Sequence, residues 1–302
     1  MTPLPPDSIM RQIAEAIPEN VRGDIIVVGS LAAGYHFFGD DPEAAVTTKD
    51  VDCLLSPNLR AVQNGKAVAE RLLGQGWQLR KYGNFDRPGN AETRESELPF
   101  FRLNPPDNPD WFLELNASPP AGQSENKRLA RVTTTHGDFA IFSFRFLALA
   151  EEDPIPTPYA IVIARPEMMA LANLLHHPAI SHELIQDTTD KRSNKDLGRV
   201  LALAHLASAR DEDALAKWGK RWPVALRKRF PQDWRALGAR AGDGLRALLA
   251  SPPDLEQATR LCNEGLLARR PATATNLAAT GRRVLQEAVA PLVKAAGAEK
   301  IV

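Results

Sequence analysis

Apolar residues follow two periodicities along this chain, and one gives way to the other near residue 160. Before that point, short apolar runs alternate with turn residues. Asp24-Ile-Ile-Val-Val-Gly29 is β-branched through its centre and closes on glycine, the pattern of a buried strand. Residues 30–38 then read as a short helix with Ser30 near its N-cap. Asp50-Val-Asp-Cys-Leu-Leu55 predicts a second strand, halted by Ser56-Pro57-Asn58. Over 61–74, Val62, Ala67, Val68, Leu72 and Leu73 recur at helical spacing. Residues 110–115, 139–146 and 159–163 are further strand candidates, and dense Pro and Gly over 83–120 predict loops.

Beyond Pro166 the chain is rich in Ala, Leu, Arg and Lys, and the 3.6-residue period persists almost to the end. Helices are expected over 167–176, 190–209, 211–218, 231–249, 255–268 and 274–296. Pro166 and Pro231 sit at helix starts, where a missing N–H costs little. A chain of 302 residues exceeds what one compact core usually organises. The implied class is α+β: a small mixed-sheet domain over 1–164, followed by an all-helical domain over 165–302.

Charge sharpens that division. Net charge is zero, yet residues 1–164 hold 15 Lys+Arg against 22 Asp+Glu, and residues 165–302 hold 22 against 15. An acidic half suits metal ions and a basic half suits phosphates or nucleic acid; opposite signs also help two halves dock. No run approaches the ~20 apolar residues of a membrane-spanning helix, and the N-terminus lacks the pattern of a secretory signal. Cys53 and Cys262 form neither a disulfide framework nor a thiolate metal site. A cytoplasmic setting without membrane contact is therefore expected.

Three features carry candidate chemistry. Gly29-Ser30 closes a strand and opens a helix, where glycine admits close approach and the first N–H groups favour phosphate oxygens. Asp50 and Asp52, two apart on a strand, project from one face roughly 6–7 Å apart, at ~3.3 Å per residue. Two carboxylates at that spacing repel unless a cation joins them, and oxygen-only ligands suit Mg²⁺. Glu114 is a carboxylate inside the apolar run Trp111-Phe-Leu-Glu-Leu115, a place that demands a cation or an opening.

A Gly-Ser turn, an Asp-x-Asp strand and a later strand carboxylate together resemble the nucleotidyltransferase superfamily related to DNA polymerase beta. Val46-Thr-Thr-Lys-Asp-Val-Asp52 and Asp190-Lys-Arg-Ser-Asn-Lys-Asp-Leu197 are similar to segments of uncharacterised bacterial nucleotidyltransferases related to AbiEii-type toxins. The resemblance implies a nucleotidyltransferase-fold domain in which Gly29 and Ser30 receive the triphosphate. Asp50, Asp52 and Glu114 would be the catalytic metal ligands, with two Mg²⁺ ions during transfer of a nucleotidyl group from an NTP to RNA, protein or a small molecule. Glu114 stands where aspartate is commoner. The phosphate-facing cation would come from Lys49 or from Lys191 and Lys195, which with Arg199 form a basic stripe on the long helix, opposite Leu197, Val200, Leu201 and Ala204; Asp196 would orient one of those lysines. Competing readings are a non-catalytic binding or regulatory module with an antitoxin-like protein partner, and an antibiotic-modifying enzyme.

Other patterns have plainer explanations. Residues 217–229 mix six basic residues with Trp218 and Trp222, as a nucleic-acid grip or as helix packing beside surface lysines. Packing is the simpler account. His176, His177 and His182 lack the second histidine of an HExxH zinc helix and read as helix-end and loop residues. Both cysteines read as core.

Overall fold

The computed structural model describes residues 3–298 except 40, 42–44, 84, 86, 182 and 187; His182 therefore lies outside the described residues. The chain divides into two compact units, Met1–Ala164 and Arg165–Val302.

The first unit is built on a mixed sheet. Its strands are β2 (Ile25–Val28), β4 (Asp50–Leu55), β5 (Gln78–Leu79), β6 (Arg102–Asn104), β7 (Phe112–Ala117), β8 (Lys127–Thr134), β9 (Gly137–Phe144), β10 (Ile155–Pro156) and β11 (Val162–Ile163). β1 (Pro3–Leu4) and β3 (Val46–Thr47) make a separate two-residue ladder. The main order is β10-β11-β2-β4-β7-β6-β5, and β9 pairs with both β7 and β8. β4 runs antiparallel to β2 and parallel to β7, which makes the sheet mixed. Helices α1 (Pro6–Ala16), α2 (Glu19–Arg22), α3 (Gly29–Phe38) and α4 (Asn58–Gly74) complete the unit.

The strand period decides what is core. Val51, Cys53, Leu55, Leu113 and Leu115 alternate onto one face and are at most 1% exposed. α4 lies against that face, with Gly65 turned towards Leu55, Val132 and Ile141. The helix buries Ala61, Gly65, Val68, Ala69 and Leu72, whereas Val62 is 46% exposed, so the apolar stripe is rotated from the expected one. Burial lifts the Cys53 thiol pKa well above its ordinary value, with Asp52 adding to the rise.

Three expectations shift here, the simplest being the strand expected over 159–163, which forms only at Val162–Ile163 as β11. β7 begins at Phe112, because Asn108 caps the Asp110 N–H and the Asn104 side chain takes the carbonyls of Pro109 and Trp111. β6 lies inside the stretch expected to be loop. It pairs Arg102 with Glu114 and Leu103 with Leu113, so neighbouring strands supply an order that local composition does not.

The second unit consists of α5 (Pro166–His176), α6 (Arg192–Arg210), α7 (Ala214–Arg229), α8 (Trp234–Arg240), α9 (Asp243–Ala250), α10 (Pro252–Glu264), α11 (Ala274–Arg283) and α12 (Ala290–Ala298). A π-type segment, Val284–Val289, joins α11 to α12. α7 outruns its expected end and contains Pro223. Burial of Trp218, Trp222 and Leu226 offsets the hydrogen bond that proline removes. The helix expected over 231–249 is broken between Arg240 and Asp243 into α8 and α9. Leu197, Val200, Leu201 and Ala204 are at most 3% exposed, as the stripe on α6 requires. Among the described residues, no helix is long and apolar enough to cross a membrane.

Candidate functional site

Gly29 holds φ at +76°, a left-handed value that side-chain-bearing residues adopt at a cost. It needs to be glycine for a second reason: a β-carbon there would lie 2.8 Å from Asp52 Oδ2. The antiparallel register explains the proximity, since Val28, at the end of β2, stands opposite Asp52. Ser30 follows in the first turn of α3, where backbone N–H groups have no partner within the helix.

Register then extends the row. Asp52 aligns with Glu114 across the β4–β7 pair, and Glu114 aligns with Arg102 across β7–β6. Asp50, two residues before Asp52, shares its face and aligns with Phe112. Thr48 Oγ1 donates a 2.6 Å hydrogen bond to Asp50 Oδ1, and Thr48 is itself only 6% exposed. One carboxylate is thus held by a buried hydroxyl, and the other lies against a glycine.

Glu114 is differently engaged. Arg102 Nε donates to its Oε2 at 2.5 Å, and the Arg102 guanidinium lies over the rings of Tyr82, Phe100 and Phe112. The cation that a carboxylate in an apolar strand demands is therefore an arginine of the adjacent strand. Among the described residues, no three His, Cys, Asp or Glu side chains gather closely enough to hold a metal ion. The structure brings Asp50, Asp52 and Glu114 onto one face but commits the Glu114 carboxylate to Arg102.

A second guanidinium stands beside the first. The Arg80 N–H donates to the Arg102 carbonyl, and its side chain covers the Phe112 ring at 4.3 Å. Burial lowers the Arg80 pKa, Arg102 lowers it further, and Asp50 opposes them, which marks Arg80 as within electrostatic reach of both. Neither arginine belongs to a recognisable motif. The usable signal was the alternation of Phe100 and Arg102 with Phe101 and Leu103, which marks a half-buried strand.

The lysines singled out from the sequence are divided between the two units. Lys49 is exposed just before β4, and its carbonyl accepts from the Phe112 N–H. Lys191 and Lys195 belong to the second unit. Lys191 precedes α6 and pairs with Asp254 at 2.7 Å, and Lys195 is exposed on the helix. Asp196 binds His176 Nδ1 at 2.9 Å, so the carboxylate expected to orient a lysine serves a histidine. Trp218 and Trp222 are 4% and 0% exposed, and Trp222 Nε1 donates to the Glu167 carbonyl. Their rings are core and offer no stacking surface to a nucleic acid.

No protein-family model matches the chain, nor does any curated protein sequence. Among solved structures, an antigenic nucleotidyltransferase-like protein from Paracoccidioides brasiliensis is similar over 85% of this chain and 94% of its own, at 12% identity and a TM-score of 0.35. A likeness that loose bears no weight on function.

Proposed function

We propose that the chain is a Mg²⁺-dependent nucleotidyltransferase, moving a nucleotidyl group from an NTP to a hydroxyl acceptor on the Asp50/Asp52 face of the first unit. The observation that carries this reading is the row Val28–Asp52–Glu114–Arg102 across four adjacent strands, with Gly29 pressed on the Asp52 carboxylate. A Gly-Ser turn, an Asp-x-Asp strand and a third acidic strand in neighbouring positions form the arrangement that the superfamily resemblance implies.

The donor set fits a magnesium ion with a qualification. Mg²⁺ is commonly held by one or two carboxylates, with water and substrate phosphates completing its shell. Asp50 and Asp52 meet that need, and Glu114 joins them only by exchanging Arg102. When bound, the ions supply Lewis-acid activation of the acceptor hydroxyl and neutralise charge on the phosphates. Thr48 orients Asp50, and Gly29 leaves Asp52 the space to turn its carboxylate to the same face. The N–H groups opening α3 receive phosphate oxygens. Arg80 and Arg102 place positive charge beside the carboxylates, where charge develops as the phosphoryl bond breaks.

The test incubates the protein with each α-³²P-labelled NTP, Mg²⁺ and cell extract or total RNA, beside Asp50→Ala and Asp52→Ala. Label transferred by the wild type and lost from both variants is the expected result. Transfer that survives both substitutions sinks the assigned centre, and a protein that neither transfers label nor binds an NTP favours the competing non-catalytic module.

A further inference from the structure

The face bearing the carboxylates continues past Arg102 into a group of aromatic rings that the reaction described above does not use. Tyr82 and Phe85 exchange backbone hydrogen bonds across a tight turn containing Gly83, which holds φ at +53°. Their rings lie 5.1 Å apart at 35°. Phe100 stacks on both, at 5.6 Å and 24° from Tyr82 and 5.9 Å and 28° from Phe85. The Tyr82 hydroxyl accepts from the Phe100 N–H, which fixes the first ring against the third. Beneath them Phe142, 4% exposed, anchors Phe100 edge-on at 4.1 Å.

Packing accounts for Phe142 and Phe112, which are buried. It does not account for Tyr82, Phe85 and Phe100, which stay partly exposed although held against one another at 24–35°. Cations frame them. Arg102 lies over Tyr82 and Phe100, and Lys127 reaches over Phe142 at 3.5 Å and towards Phe100 at 5.3 Å. Rings with accessible surface beside guanidinium and ammonium groups suit a flat, electron-rich heterocycle carrying negative charge, and repel a polycationic acceptor.

Position says which substrate this is, given the catalytic reading above, on which this step rests. The triphosphate end lies at Gly29-Ser30, where β2 passes into α3, and the reacting phosphorus by Asp50 and Asp52 on β4. Attacking and leaving oxygens in phosphoryl transfer stand roughly in line. The acceptor hydroxyl therefore arrives from the side of β4 away from β2, across β7 and β6. Arg102 on β6 is two strand spacings from Asp52, about 10 Å at ~4.8 Å each, and the rings adjoin it. We propose that Tyr82, Phe85 and Phe100, flanked by Arg102 and Lys127, form the acceptor platform, and that the acceptor is a nucleobase carrying its own phosphate. That chemistry comes either as a free nucleotide or as the end of a single strand. Amino acid side chains and aminoglycosides lack it.

Binding is measured without catalysis, by fluorescence anisotropy of a labelled eight-nucleotide oligo(A), with AMP and unlabelled oligo(A) as competitors. The proteins are wild type, Phe85→Ala, Lys127→Ala and Asp52→Ala, each checked for a native melting transition. Phe85→Ala is expected to raise Kd roughly 5- to 160-fold, the span of one base–aromatic stack. Lys127→Ala should weaken binding and reduce its salt dependence, and Asp52→Ala should leave binding intact. AMP competing as well as the oligomer at equal nucleotide concentration assigns a free nucleotide; a large oligomer advantage assigns a strand end. Wild type that binds neither probe, or Phe85→Ala and Lys127→Ala variants that bind as the wild type does, overturns the platform. Because this assay reads binding alone, platform binding by a wild type that transfers no label from any NTP faults only the catalytic centre.

Discussion

Replacing Gly29 by alanine perturbs two things at once, and their sizes differ. Holding a side-chain-bearing residue at φ +76° costs about 1–2 kcal/mol of folding stability. In a unit of this size each kcal/mol lowers Tm by about 2–4 °C, so a fall of about 2–8 °C is expected by differential scanning fluorimetry. The added β-carbon also meets Asp52 Oδ2 at 2.8 Å, and the carboxylate must turn away. Misplacing a reacting group by ~1 Å costs on the order of 100-fold in rate. NTP transfer should therefore fall about 100-fold in a protein that remains folded at assay temperature. Gly23→Ala is the control, because Gly23 is right-handed with nothing within 4 Å of the new carbon. It should stay within about 0.5 kcal/mol of wild type. A Gly29→Ala protein that melts and reacts like the control would refute the close approach between Gly29 and Asp52.

Other consequences follow from the same geometry. Trp222→Ala removes a fully buried ring and its hydrogen bond to the Glu167 carbonyl, and should cost about 3–5 kcal/mol in chemical denaturation; a loss under 1 kcal/mol contradicts its core placement. His177 is half-buried with its pKa lowered, first by desolvation, so the unfolded chain binds the proton more readily. Its contribution is fully present above the unfolded pKa of about 6.5 and is lost as pH falls from there towards the folded value. His177→Gln should flatten that part of the stability profile, and an unchanged slope between pH 5 and 7 rules the contribution out. Burial raises both thiols, that of Cys262 to about 12, so Ellman's reagent should react with neither cysteine in the native protein and with both in denaturant. Rapid native labelling of either places that residue at the surface.

Legibility in the sequence followed how local each feature is. β4 was readable residue for residue, because Val51, Cys53 and Leu55 alternate with the two aspartates and Ser56-Pro57 stops the run. The start of α3 was readable from Gly29-Ser30 to within two residues, the N-cap being Val28 and not Ser30, and the apolar side of α6 from its period. β8 was not: Lys127-Arg-Leu-Ala-Arg-Val-Thr-Thr134 has little apolar alternation and is a strand because all eight residues pair with β9. The break between α8 and α9 at Gly242 lies inside an unbroken apolar period, which hides it. In the site, the carboxylates were visible because they share strands with strong patterns. Arg80 and Arg102 were not, since they reach Asp50 and Glu114 only through pairing between segments separated in sequence. At the lysine-rich opening of α6, read from the sequence as facing phosphate, the ion pairs Lys191–Asp254 and Arg260–Asp190 join segments far apart in sequence, which local pattern does not reveal.

On the proposed function, Asp50 and Asp52 hold a divalent metal together with a nucleotide. Mn²⁺ reports on that directly, through the loss of its free electron paramagnetic resonance signal as it binds. The titration is run with an α,β-methylene NTP, which supplies phosphates without reacting, on wild type, Asp50→Asn, Asp52→Asn and Glu114→Gln. Bound Mn²⁺ is expected in the wild type only when the nucleotide is present, with loss in both aspartate variants and retention in Glu114→Gln. Mn²⁺ held equally by Asp50→Asn and Asp52→Asn contradicts the proposal.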